Sequence, residues 1–103
     1  MEKLFDMAKV LRSKNSGPFE LTMDILFDSS EKYLRVKNSN KITTELICDL
    51  YNITERDVRH IVFFDPAMGI KITILRGVSS GTVGERDVYG AQQHAPLMNI
   101  LID

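Results

Sequence analysis

The stretch Phe19 to Phe27, FELTMDILF, constrains the fold more than any other part of the chain. Phe19, Leu21, Met23, Ile25 and Phe27 fall on one face of an extended backbone, and Glu20, Thr22 and Asp24 fall on the other. A helix would scatter those five apolar side chains around its axis, whereas a strand gathers them. One greasy face and one polar face is what a sheet needs when a single side is covered. Ile70, Ile72 and Ile74 repeat the pattern, with Lys71 and Thr73 facing outward. Between this run and Ile61 to Phe64 lies DPAMG, in which Pro66 presets φ, Asp65 can bond its own backbone and Gly69 can take the left-handed conformation. The two runs therefore read as a hairpin.

The remaining segments read mainly as helices. Leu4, Ala8 and Leu11 recur at helical spacing and predict about three turns, stopped by SGP at Ser16 to Pro18. On that reading Arg12 and Lys14 complement the helix C-terminus, with Asn15 and Gly17 as cap residues. Asp28 followed by Glu31 has the form of a helix start, Glu31 and Arg35 make a supportive pair, and NSN ends the helix. Ile42 before Thr43 can staple onto Ile47, opening a helix with the stripe Leu46, Ile47, Leu50 and Tyr51 that closes at Asn52. Thr54 and Asp57 repeat the capping arrangement for a short turn. After the glycine-rich GVSSGTVG, Leu97 to Ile102 reads as a last strand. The expectation is a single α+β domain over residues 1–103: a mainly antiparallel sheet of about four strands, with helices packed on one face.

Composition excludes several classes. The net charge is -1 and the basic residues are scattered, so no electrostatic footprint for nucleic acid or an anionic membrane is expected. The N-terminal run is amphipathic and charged throughout, unlike a signal peptide, and no later segment is apolar enough to span a bilayer, so a cytoplasmic location is expected. The one cysteine, Cys48, cannot form an internal disulfide, and the flanking Glu45 and Asp49 raise a thiol pKa. His60 and His94 are not spaced to share a metal. No metal site or cofactor is expected in this chain.

The segment DVYGAQQHAP, Asp87 to Pro96, concentrates polar groups without a repeating apolar face. His94 can move a proton near neutral pH, Tyr89 carries a phenol, and the amides of Gln92 and Gln93 can hold a carboxylate or carbonyl. His94 and Tyr89 are the candidate catalytic residues, although loop anchoring explains the amides equally well. Arg12, Asn15 and Glu20 offer a guanidinium, an amide and a carboxylate suited to a small acid or a partner surface. Asp65 adds a carboxylate in the hairpin turn.

Three segments together, LRSKNSGPFELTMDILFD, IVFFDPAMGIKITI and DVYGAQQHAPL, resemble a small uncharacterised bacterial family over nearly the whole chain. Its motif-rich positions fall here on Arg12, Lys14, Asn15, Gly17, Pro18, Glu20, Asp65, Pro66, Asp87, Tyr89, Gly90, Gln92, Gln93 and His94. Members stand beside, or are fused behind, proteins like acyclic terpene utilisation protein A. The resemblance implies a small subunit of a two-component enzyme, not active alone. It also implies hydration or dehydration of a small unsaturated or hydroxy carboxylic acid, a hydro-lyase reaction, at a site shared with the large subunit. The other reading is a non-catalytic binding or regulatory module that works alone or as a homodimer.

Overall fold

The computed structural model describes residues 1–17, 19–75 and 95–102. In chain order the elements are β1 (Glu2–Lys3), α1 (Leu4–Met7), β2 (Val10–Gly17), β3 (Glu20–Leu26), α2 (Ser30–Asn38), α3 (Thr44–Tyr51), β4 (Val58–Phe64), β5 (Gly69–Leu75), α4 (Ala95–Met98) and β6 (Leu101–Ile102). Single 3-10 turns precede β4 at Glu55–Asp57 and follow it at Asp65–Ala67. The main sheet is antiparallel with order β2-β3-β5-β4, and β1 pairs with β6 in a separate two-stranded ribbon. This is the expected α+β architecture, with four strands in the main sheet.

Registry explains the alternation. Leu21, Met23 and Ile25 stand opposite Ile74, Ile72 and Ile70, and all six are at most 3% exposed. The described helices contribute to the same cluster: Leu4 and Met7 from α1, Tyr33 and Val36 from α2, Ile47 from α3 and Leu97 from α4. The Tyr51 hydroxyl donates to Met23 Sδ at 2.9 Å, tying α3 to the middle of β3. The Phe27 and Tyr33 rings pack with their centroids 6.0 Å apart.

The local stop and start signals act largely as expected. Thr43 caps α3 by accepting from Leu46 N at 3.2 Å. Asn52 closes that helix at φ 56, a left-handed conformation that asparagine tolerates. Thr54 and Asp57 form a capping box. At α2 the cap is Ser29, which accepts from Lys32 N. Asp28 instead pairs with Lys32 at 3.9 Å, and Arg35 reaches Glu2 at 2.7 Å rather than Glu31.

Four expectations are corrected. The N-terminal helix has only four residues, because Val10–Gly17 pairs along β3, with Leu11 opposite Ile25. A strand partner satisfies the backbone groups along that side of β3, a need that outweighs the weak helical spacing. The C-terminal run is not a strand of the main sheet: Ala95–Met98 is helical and only Leu101–Ile102 is extended, opposite Glu2–Lys3. The left-handed residue of the hairpin turn is Met68, at φ 51, while Gly69 begins β5. The hairpin's first arm also starts earlier than Ile61, at Val58. GVSSGTVG lies outside the described residues.

Candidate functional site

Every described helix feeds the core cluster, so among the described residues the opposite side of the sheet is an open face. Cross-strand registry arranges it in rows. Val10, Leu26, Gly69 and Phe64 form an apolar row; Arg12, Asp24, Lys71 and Val62 form a charged one; Lys14, Thr22, Thr73 and His60 form a polar one. Arg12 Nε lies 3.3 Å from Asp24 Oδ2, and Arg59 lies 4.0 Å from Glu20. Thr22 donates to Ser16 at 3.0 Å and lies 3.3 Å from the Thr73 hydroxyl. These bonds let two threonines be buried in the sheet without loss of partners.

The face is electrically distinct from the chain as a whole. Among the described residues Arg12, Lys14, Arg59 and Lys71 stand against only Glu20 and Asp24 on it, while the complete sequence carries -1. Between the charged and apolar rows lies a hollow of about 440 Å³. Gly69 lets Leu26 lie across it on one wall of the hollow: a Cβ there would stand 2.8 Å from Leu26 Cδ2. Leu26, Val62 and Phe64 line one part, and Arg12, Asp24 and Lys71 line the other. Val62 and Phe64 are 43% and 58% exposed. A surface that pairs cations with uncovered apolar side chains suits a ligand or partner that is both anionic and hydrophobic.

The described candidate residues are not gathered at one point. Arg12 and Glu20 share the open face, but Arg12 reaches it from an edge strand and not from a helix terminus. Asn15 stands in the row of Leu21, on the core side of the sheet, and is half-buried. Asp65 follows Phe64 at the Gly69 end of β5, whereas Glu20 pairs with Leu75 at the other end. A strand of that length separates them by roughly 20 Å. Tyr89, Gln92, Gln93 and His94 lie outside the described residues.

Asp65 has structural partners instead. It accepts from the Tyr33 hydroxyl at 2.5 Å and from Lys37 Nζ at 3.0 Å, and both bonds hold its carboxyl below the ordinary value. Burial, followed by the Asp65 contact, pushes Tyr33 up to about 12. At Cys48, burial and then the nearby carboxylates, Glu55 first, push the thiol up, the direction expected of a structural cysteine. Among the described residues no three His, Cys, Asp or Glu side chains converge as a metal site. No helix of the described residues is long and apolar enough to cross a membrane.

Sequence reasoning passed over the apolar half of the face. Its signal was legible in VFF: Val62 and Phe64 alternate with Ile61 and Phe63, so β4 is apolar on both sides. A strand with only one covered face alternates with polar residues.

The fold and the open face together define a small α+β protein built around an antiparallel sheet with one side covered by helices. The chain belongs to the family described as Domain of unknown function (DUF4387), whose model matches residues 4–101. No curated protein and no solved structure matches the chain.

Proposed function

We propose that this chain is the small subunit of a two-component enzyme, whose large subunit resembles acyclic terpene utilisation protein A. The assembled enzyme hydrates or dehydrates a small unsaturated or hydroxy carboxylic acid. The observation that carries the subunit reading is the open face, where Val62 and Phe64 stand exposed beside a positively biased row. Exposed apolar side chains grouped in this way are characteristic of surfaces that another protein covers. The reaction class is supported by the family resemblance, an argument by analogy. His94 and Tyr89 remain its proposed acid-base groups, with Gln92 and Gln93 as substrate-orienting amides.

Co-expression with the large protein, affinity capture and an assay on small unsaturated and hydroxy acids test the reading. Capture of both chains, with turnover only in the complex, is the expected result. Val62→Glu and Phe64→Glu should each reduce capture by about tenfold or more, because each buries an unpaired charge in the joint. His94→Ala and Gln93→Ala should leave the domain folded and lower assembly or turnover by about tenfold or more. A large protein fully active alone, with no small chain captured, would sink the subunit reading. The rival, a binding or regulatory module acting alone or as a homodimer, draws on β4, an edge strand that is apolar from Ile61 to Phe64 and free of carboxylates there. Sedimentation of the isolated chain separates the two.

A further inference from the structure

The hollow between the charged and apolar rows combines three features that point to one ligand chemistry. Arg12 uses Nε on Asp24, which leaves both of its terminal nitrogens outside that bond. Lys71 stands directly opposite Asp24 across the strands, lines the same hollow and has no ion pair among the described residues. The charged row therefore retains one positive charge after Asp24 is counted. Beside it, Leu26, Val62 and Phe64 give the hollow an apolar wall, with Leu26 lying across Gly69.

We propose that this hollow binds a short-chain monocarboxylate. Its carboxylate meets the terminal nitrogens of Arg12 and the Lys71 ammonium, and its hydrocarbon chain lies against Leu26, Val62 and Phe64. A guanidinium and an ammonium on one side satisfy both carboxylate oxygens. Asp24, paired with Arg12 Nε and lining the same hollow, disfavours a second negative charge, so dicarboxylates are selected against. A hollow of 440 Å³ is within the size range of small-molecule sites. The side that the described residues leave open is where a large subunit would close over the acid. That the bound acid is a substrate rests on the subunit reading; that it binds here does not.

The test uses the full chain, labelled with nitrogen-15 and titrated at constant ionic strength with acetate, butyrate, hexanoate and succinate, with hexanol and hexylamine as charge controls. Hexanoate should shift the amides near Leu26, Val62 and Lys71 and bind in the millimolar range. Affinity should rise about twofold per added methylene, half-covered on such a surface. Lys71→Ala and Arg12→Ala, both at exposed positions, should each weaken hexanoate by about fivefold or more. Equal binding of hexanol or succinate, shifts confined to other regions, or an unaltered affinity in Lys71→Ala would overturn the site. If Lys71→Ala abolishes capture of the large protein while hexanoate shifts nothing, the cations serve a protein carboxylate and the free-acid site is likewise overturned. Hexanoate binding without capture keeps this site and removes the subunit reading.

Discussion

The Tyr33 hydroxyl, on a side chain only 2% exposed, donates to Asp65 Oδ1 at 2.5 Å and so joins α2 to the turn between β4 and β5. Lys37, one helical turn further on, reaches the same carboxylate. Tyr33→Phe keeps the ring in the core and removes only the bond, so the melting temperature should fall by roughly 4–8 °C. Scanning calorimetry of the two proteins measures it. An unchanged midpoint would mean that water replaces the phenol without cost.

The same contact sets the pH response. The Asp65 carboxyl is depressed below its ordinary 3.8, first by the Tyr33 bond and then by Lys37. Its contribution is therefore present above the unfolded value and lost as the pH falls through the folded one. Tyr33 runs the other way. Raised from 10.0 to about 12, it contributes below pH 10 and loses that contribution as the pH rises through about 12. Urea midpoints at pH 7 and pH 3 should differ less in Asp65→Asn than in the native chain. Glu2, depressed by Arg35, keeps some acid sensitivity in both.

The C-terminal segment is a core component despite its short elements. Leu97 is fully buried and Leu101 is 46% exposed. Leu97→Ala should cost about 2–5 kcal/mol, and Leu101→Ala about 0.5 kcal/mol or less. Met23→Ala, in the middle of the sheet, belongs with Leu97. Equilibrium denaturation of the three variants checks the ranking, which fails if Leu101→Ala is the most damaging.

Asn52 closes α3 at φ 56. Asn52→Gly should be neutral or slightly stabilising, and Asn52→Ala should cost about 1 kcal/mol, because only the alanine pays the left-handed steric penalty. Equal stabilities in these two variants would show that the helix ends in another way.

Residues close together in the sequence determined much of this protein. The alternation of Leu21, Met23 and Ile25, and of Ile70, Ile72 and Ile74, predicted β3 and β5 and their covered face, because side-chain direction in a strand follows from position alone. Thr43 and Asn52 marked α3 for the same reason: caps act within one turn. Tertiary structure decided Val10–Gly17, whose Leu4, Ala8 and Leu11 spacing suits a helix until the side of β3 requires a partner. It also decided Leu101–Ile102, two residues that are a strand only because Glu2 and Lys3 lie opposite. The open face was the least legible part. Arg12, Asp24 and Lys71 come from three strands and become one row through cross-strand registry, and registry depends on which strands pair, a property of no single segment.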